Sequence, residues 1–304
     1  MPEWHQVIDL APGVADAVAA GRPIVLLESA VISHGLPAQL ALDTAAELFA
    51  DAADEGVLAA TTAVIDGRIV VGASPQQLGR LTSADTVKIA ERDLATAVAL
   101  GQTGGTTVSA TVAIAGIIDV RVVTTGGIGG VHLGAERTWD VSADLAALAA
   151  HRVAVVCAGA KAICDIPKTL EFLETAGVTV VGFRTDRFPF FYALDSGCAV
   201  PRRIESPHDG AQILAVKRAL GQTGGLLIAN PIPAHAALDR AQVVEAVERA
   251  QREAAPAGAT GADLTPFLLA RLSAITEGAS LGANVALLRS NTRLAARVAQ
   301  AATG

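Results

Sequence analysis

The chain alternates short segments rich in β-branched residues with longer alanine-rich segments, and this pattern constrains its fold more than any other feature. Six segments have the composition of buried strands: 23–29, 59–72, 119–127, 153–160, 178–185 and 224–233. Five others are predicted to be helices: 40–55, 143–150, 167–175, 211–220 and 240–255. Such alternation predicts an α/β fold with a largely parallel sheet covered by helices. The pair Asp66-Gly67 predicts a hairpin turn, so we expect a mixed sheet.

No low-complexity linker divides the chain, and we expect residues 1–304 to form a single domain. Segment 253–263 is the loosest and introduces a final helical region. The heptapeptide ALGQTGG occurs at 99–105 and again at 219–225, each time after a helical segment. Its glycine suits the end of a helix. The repeat is therefore either a recurring way of ending a helix or the trace of a duplicated domain.

Composition and charge exclude several classes of protein. Hydrophobic residues make up 51% of the chain and charged residues 17%, which is the opposite of a disordered chain. The net charge of -7 predicts no general attraction to nucleic acid or to an anionic membrane. The 3 cysteines include no C-x-x-C pair, which argues against a disulfide framework or a zinc knuckle. Neither a signal peptide nor a transmembrane segment is expected, so we predict a cytoplasmic location.

The sharpest single residue is Lys161, in the middle of the apolar segment VVCAGAKAICDI. The segment has the composition of buried structure, and burial of an ammonium is costly unless it is paired. Burial lowers the pKa of a lysine, and a neutral amine can attack a sugar carbon to form a Schiff base. The alternatives are a lysine that extends to solvent at a strand end, or a buried ion pair with Asp165.

The glycine-rich segment TTGGIGGVHLGAERTWDVSADL is the most unusual in the chain. Its glycines would let a ligand approach the backbone, and it matches neither a dinucleotide fingerprint nor a P-loop. His132, Glu136, Asp140 and Asp144 add an imidazole and three carboxylates. A single carboxylate with several waters suits Mg²⁺ or Mn²⁺ better than zinc. Alternatively, the segment is a turn followed by a helix capped by Ser142 or Asp140.

Other polar residues lie where ligands bind in α/β proteins. Glu28 follows a predicted strand, where a carboxylate could act as a general acid or base, or could cap a helix or form an ion pair. The segment GGTTVSAT, residues 104–111, lies at a predicted helix start, which could bind phosphate. Lys88 could add a positive charge there, or could be a solvated lysine. Asn284 is a polar residue in a C-terminal helical segment.

Taken together, these segments resemble the pseudouridine-5'-phosphate glycosidase family, also described as indigoidine synthase A-like. The resemblance extends roughly from Val25 to Asn291. The motifs that carry it are LLESAVISHGLP, GGTTVSATVAIA, TTGGIGGVHLGAE, WDVSADL, VVCAGAKAICDI, LIANPIP and TPFLLARL. Members of the family reversibly cleave the C–C glycosidic bond of pseudouridine 5'-phosphate, giving uracil and ribose 5-phosphate. The resemblance implies a three-layer α/β/α fold, a divalent metal, typically Mn²⁺ with Mg²⁺ as an alternative, and a homotrimer.

The resemblance also implies roles for particular residues. Lys161 is similar to the lysine that forms a Schiff base with ring-opened ribose, Glu28 resembles the proton donor, and Asp140 matches the metal ligand. The positions that match substrate-binding residues are Lys88, Val108, Ser142, Ala143 and Asp144, and two further substrate-binding candidates, His132 and Asn284, lie in motifs near the base.

The chain departs from the family pattern at Leu133, Ala38, Leu40 and Ala262, none of which is a proposed catalytic group. Two other functions stay open, namely a different Schiff-base sugar-phosphate lyase of the aldolase type and a non-catalytic sugar-phosphate-binding protein.

Overall fold

The computed structural model describes residues 3–254, 256–259 and 264–303. The strands of this part of the chain are β1 Ile8–Leu10, β2 Ile24–Leu27, β3 Leu58–Ile65, β4 Arg68–Val71, β5 Val87–Ile89, β6 Gly104–Thr106, β7 Val122–Thr124, β8 Ala154–Cys157, β9 Thr179–Phe183, β10 Arg203–Ile204 and β11 Leu226–Ala229. Its helices are α1 Pro12–Ala19, α2 Ala38–Asp54, α3 Pro75–Arg80, α4 Leu94–Ala99, α5 Val108–Ile117, α6 Ala135–Thr138, α7 Ala143–Ala150, α8 Ile166–Thr175, α9 Pro207–Ala219, α10 Arg240–Ala254, α11 Leu264–Ile275 and α12 Ala279–Ala301.

The strands form one mixed sheet whose central part is parallel. The order β3-β2-β7-β8-β11-β9-β10 contains only parallel pairs. The second half of β3 instead pairs antiparallel with β4 on one side and β6 on the other. This change of direction confirms the mixed, largely parallel sheet expected from the sequence.

Side chains that alternate along the central strands enter two separate apolar layers. Val25, Val122 and Val156 pack with residues of α2, α9 and α12 on one face. Leu26 and Val123, their neighbours in sequence, pack with residues of α5, α7 and α8 on the other face. Because successive side chains of a strand point to opposite faces, both faces must be covered by helices. This is the three-layer α/β/α arrangement.

The predicted strands and helices occur in the structure, with boundaries displaced by a few residues. Asp66 and Gly67 both have positive φ, 49° and 74°, and join β3 to β4 as the hairpin turn requires. Both copies of ALGQTGG place a glycine with positive φ, Gly101 and Gly221, directly after the C-caps of α4 and α9. They are two uses of the same helix ending.

The sequence patterns did not identify β1, β5 or β6, each of which has only three residues. Segment 104–111 was predicted as a helix start, but its first three residues form β6 and α5 begins at Val108. No helix within the described residues is long and apolar enough to cross a membrane. Ala262, one of the departures from the family pattern, lies outside the described residues.

Candidate active site

Two adjoining cavities open at the carboxyl ends of β2, β7 and β8, where ligands commonly bind in parallel α/β sheets. We call them the polar half and the apolar half. Glu28, Lys88 and Lys161 line both halves, together with Ala30 and Thr265. The predicted residues that line only the polar half are Val108, His132, Asp140, Ser142, Ala143 and Asp144. Asn284 lines the apolar half. The structure therefore brings all ten predicted site residues together.

The Glu28 carboxyl lies at the junction of the two halves, directly after β2, and is 8% exposed. Its Oε2 accepts a hydrogen bond from the Val31 amide at 3.0 Å, and its Oε1 accepts one from Thr125 Oγ1 at 3.3 Å. Burial raises the pKa of Glu28, and the nearby positive charge of Lys161 opposes that shift only in part. The bond to Val31 resembles a helix cap, but the raised pKa is the property expected of a proton donor.

The strand predicted over 153–160 ends earlier, at Cys157, so Lys161 does not follow it directly. It lies four residues beyond the end of β8 and is only partly buried, at the boundary of the two halves. The proposed pair with Asp165 is wrong, because Asp165 Oδ2 pairs with Lys168 Nζ at 2.9 Å while its Oδ1 caps α8. Within the described residues, the Lys161 ammonium makes no ion pair, which leaves it available to a ligand.

The turn before Lys161 requires glycine at position 159. Gly159 has a φ of 82°, and a Cβ atom there would lie 2.5 Å from the carbonyl oxygen of Pro189. The Lys161 amide then donates to the carbonyl of Ile128 at 2.9 Å, which joins this turn to the glycine-rich segment. The small residues around Lys161 thus fix where its side chain enters the cavity.

Lys88 extends from β5 into both halves. Burial, and then repulsion from Lys161, lower the pKa of Lys88, while the carboxylates of Asp144, Glu28 and Asp140 act in the opposite direction. Two lysines facing one small cavity create a local positive field in a protein whose net charge is negative.

Asp144 holds the backbone of the polar half in place. Its Oδ1 accepts from the Ser109 amide in the first turn of α5, and its Oδ2 accepts from the Gly129 amide, both at 2.8 Å. Ser142 caps α7 by accepting from the Asp144 amide at 3.2 Å, as the capping alternative predicted. A Cβ at Gly129 would lie 2.2 Å from Ser142 Oγ, so this close approach requires glycine. The N-termini of α5 and α7 consequently meet at one wall of the cavity.

His132 and Asp140 face each other across the same half, with 3.7 Å between Nδ1 and Oδ2. Burial lowers the pKa of His132, so its imidazole is neutral near pH 7 and can act as a hydrogen-bonding group or a ligand. The Asp140 carboxylate is 33% exposed. No group of three or more His, Cys, Asp and Glu side chains converges within the part of the chain that the structure describes. Glu136 contributes nothing here, since it pairs with Lys168.

Asn284 projects from α12 toward the glycine-rich segment, where a Cβ at Gly126 would lie 3.3 Å from its Oδ1. Another asparagine of the same helix, Asn291, donates to the carbonyls of Thr125 and Gly126 at 2.9 and 3.3 Å. It is itself held by Asn230, whose amide donates to Asn291 Oδ1 at 2.9 Å. These contacts fix the start of the glycine-rich segment at the wall of the apolar half.

The sequence patterns missed three cavity residues, Arg92, His34 and Phe191. Arg92 brings a further positive charge to the polar half. A second basic residue four positions after Lys88 was the feature of the sequence that could have indicated it. His34 is held between Ser33 Oγ at 2.6 Å and the Thr86 carbonyl at 3.1 Å. The signal for Phe191 was the run FPFFY, which contains 4 of the 10 aromatic residues of the chain (Phe 7, Trp 2, Tyr 1).

Comparison with known proteins finds relatives that match nearly the whole chain. A pseudouridine-5'-phosphate glycosidase from Rhodospirillum centenum is 52% identical over 297 residues, which cover 98% of this chain and 93% of the relative. One from Caldanaerobacter subterraneus subsp. tengcongensis is 48% identical over 296 residues, covering 97% of this chain and 96% of the relative.

Two solved structures have the same fold, each with a TM-score of 0.90 and 33% identity, covering 98% of this chain and 97% of the other. One is the prealnumycin C-glycosynthase AlnA in complex with ribulose 5-phosphate, and the other is an indigoidine synthase A-like protein from Thermotoga maritima. The family model described as indigoidine synthase A like protein matches residues 13–301. This chain belongs to the indigoidine synthase A-like family.

Proposed function

We propose that this protein is a pseudouridine-5'-phosphate glycosidase, which reversibly converts pseudouridine 5'-phosphate and water to uracil and ribose 5-phosphate. Relatives with that name, 52% and 48% identical over nearly their whole length, support the proposal. The single structural observation that carries it is the position of the Lys161 amine and the buried Glu28 carboxyl at the junction of the two cavity halves. Of the two halves, one suits a sugar phosphate and the other a planar base.

The polar half suits the phosphate and ribose of the substrate. Val108, the first residue of α5, lines this half, and Asp144 occupies the amide of the next residue, Ser109. Amides at a helix N-terminus and the Lys88 ammonium are suited to a phosphate group. The neighbouring segment from Ser142 to Asp144 lines the same wall. The AlnA complex with ribulose 5-phosphate, another five-carbon sugar phosphate, supports this use of the fold.

In the proposed reaction, the Lys161 amine attacks C1' of the ribose. A C–N bond forms, the bond from C1' to the ring oxygen breaks, and Glu28 gives its proton to that oxygen. The nitrogen, now bonded to C1', loses a proton, and its lone pair forms a C=N bond as the C1'–C5 bond to uracil breaks. C5 takes the electron pair of that bond and a proton, which balances the one that the nitrogen lost. Water hydrolyses the Schiff base to release ribose 5-phosphate. A paired-carboxylate glycosidase mechanism fits less well, because a carbon leaving group is poor.

The raised pKa of Glu28 supports its role as the donor. A carboxyl whose pKa is raised keeps its proton to a higher pH than an ordinary glutamate does, which makes it a better proton donor. The Thr125 hydroxyl and the Val31 amide each donate to one oxygen of the Glu28 carboxyl. The acidic proton therefore lies on a lone pair that neither of these donors occupies.

The residues of the polar half suit a divalent ion that keeps most of its water, and the family resemblance implies Mn²⁺, with Mg²⁺ as the alternative. Asp140 is partly exposed and not engaged by arginine or lysine in the described residues, and the neutral His132 lies 3.7 Å away. Such a pair of donors is too small for a zinc site, which usually takes at least three protein ligands. When bound, the ion would supply positive charge and an acidic water beside the sugar. Asp140 would hold it, and His132 would orient the water shell or the substrate.

Homotrimeric assembly is a proposal that rests on the family resemblance alone, and the cytoplasmic location is a proposal that rests on the sequence analysis. The departures at Leu133 and Ala38 do not remove a proposed catalytic group. Leu133 is 44% exposed, and Ala38 is the first residue of α2.

Reductive trapping tests the function and its mechanism together. Borohydride added with ribose 5-phosphate should attach a pentose phosphate to Lys161, detected by peptide mass spectrometry, and Lys161→Ala should remove both the adduct and turnover. Uracil absorbance should fall when uracil and ribose 5-phosphate are mixed with enzyme and Mn²⁺. Turnover without an adduct would refute the Schiff base, and an adduct without any use of uracil would favour an aldolase-type lyase. The absence of both would favour a binding protein.

A further inference from the structure

Phe191 has a backbone conformation that bulky residues rarely adopt. Its φ is 54°, in the left-handed region, where a Cβ atom crowds the backbone. Six non-glycine residues have positive φ in the described part of the chain, and Phe191 is the only one of them that lines either cavity half. Strain of this kind persists only where the surrounding structure imposes it, and it concentrates at functional sites.

The surrounding structure does impose it, through the same turn that carries Lys161. The Phe191 amide donates to the carbonyl of Ala158 at 3.1 Å, and Phe190 forms an antiparallel bridge with Gly159. On the other side, the Leu238 amide donates to the Tyr192 carbonyl at 2.8 Å. The backbone of Phe191 is therefore fixed relative to the turn that carries Lys161.

The glycine-rich segment leaves room for this ring. A Cβ at Gly127 would lie 2.6 Å from Cδ2 and 2.7 Å from Cε2 of Phe191, so no other residue would fit at position 127 without displacing the ring. The Tyr192 ring packs against Phe191 from behind, with centroids 4.5 Å apart and planes at 61°. Phe191 is 3% exposed, and it is the only Phe, Tyr or Trp lining the two halves within the described residues.

We propose that Phe191 binds and positions the base, because its ring is the fixed apolar surface against which the planar pyrimidine lies. This inference rests on the proposed function and assigns the apolar half to the base. Aromatic side chains bind nucleobases through their faces, whichever base is presented. In this half, Asn284 supplies polar groups that can pair with the edge of the base. The strained loop thus places a rigid hydrophobic group beside the reacting carbon.

The test compares Phe191→Leu with Phe190→Leu as its matched control. Leucine keeps an apolar side chain at the same strained φ but has no planar ring, and Phe190 is buried in the same loop without lining the cavity. In the synthetic direction, Phe191→Leu should raise the KM for uracil roughly tenfold to a hundredfold, the size of base stacking on an aromatic ring. Borohydride trapping of ribose 5-phosphate on Lys161 involves no base, so it should stay within about twofold of wild type.

If Phe191→Leu still traps ribose 5-phosphate and its KM for uracil is unchanged, the inference about Phe191 is overturned while the proposed function stands. An equal rise in Phe190→Leu would overturn the inference as well, since it would mark a general disturbance of the loop. A wild-type enzyme that neither traps ribose 5-phosphate nor consumes uracil would overturn the proposed function, and the inference with it.

A wild-type measurement covers the case in which Phe191→Leu fails to fold. Uracil and 5,6-dihydrouracil offer nearly the same polar edge, but the dihydro ring is puckered. A site built on a flat aromatic surface should bind uracil at least about tenfold more tightly, measured as inhibition of pseudouridine 5'-phosphate cleavage. Equal inhibition by the two compounds would overturn the assignment.

Discussion

The carboxylate of Asp144 joins the start of α5 to the glycine-rich segment, and Asp144→Asn tests whether it holds backbone or contacts substrate. Both of its oxygens accept from backbone amides at 2.8 Å, and the residue is 5% exposed. Asparagine has almost the same shape, but only one of its two terminal atoms accepts a hydrogen bond. Its NH₂ group would face the amide of either Ser109 or Gly129, so that one buried amide loses its partner.

The expected loss of stability follows from those two bonds. A hydrogen bond to a charged group contributes about 1.5–3 kcal/mol, and a neutral one contributes about 1 kcal/mol. Losing one charged bond and weakening the other, partly offset because a neutral side chain is easier to bury, gives about 2–4 kcal/mol. For a chain of this length, that corresponds to a fall in Tm of about 4–8 °C, using about 2 °C for each kcal/mol.

Scanning calorimetry of the purified variant measures the change. Asp140→Asn is the matched control, since it makes the same substitution four residues earlier on a carboxylate that is 33% exposed and that accepts no hydrogen bond from a backbone amide of the described residues. Its Tm should stay within about 1 °C of wild type, as expected of a surface substitution. If Asp144→Asn melted like wild type but no longer bound ribose 5-phosphate, its carboxylate would be a ligand-binding group and the reasoning would be refuted.

Two further predictions concern Glu28 and Lys88, which line both halves of the cavity. Glu28→Gln should abolish cleavage yet raise Tm above that of the wild type at pH 8. Burial raises the pKa of Glu28 in the folded state above its unfolded value of 4.5, so ionisation of the carboxyl above pH 4.5 lowers the stability of the folded wild type. Below that pH the Tm values of the two proteins should converge. A wild type that melts higher than Glu28→Gln at pH 8 would contradict the raised pKa. Lys88→Met should raise the KM for ribose 5-phosphate at least about tenfold, the loss expected for a hydrogen bond to a charged group, while leaving use of unphosphorylated ribose unchanged. Initial-rate kinetics with both sugars measure the difference, and equal losses with the two would place Lys88 away from the phosphate.

Much of the fold could be predicted because its signals are local. The alternation of strand and helix segments, the Asp66-Gly67 turn and the glycines that end α4 and α9 each depend on a few neighbouring residues, and each is confirmed. The three-residue strands β5 and β6 were missed because their pairing depends on partners that are distant in sequence. Lys88 and the wall of the cavity depend on those same strands.

The set of residues at the site could also be named from the sequence, but how they act together could not. Sequence alone determined that Glu28 follows a strand and that Lys161 lies among small residues. Only the tertiary structure decided that Asp165 forms its ion pair with Lys168 and not with Lys161. Local periodicity determines whether a segment forms a helix or a strand. The burial of a side chain and its ion-pair partners depend on segments that come into contact only when the chain has folded. Phe191 shows this most clearly, because neither its strained φ nor its contact with Gly127, 64 positions earlier, can be read from the run FPFFY.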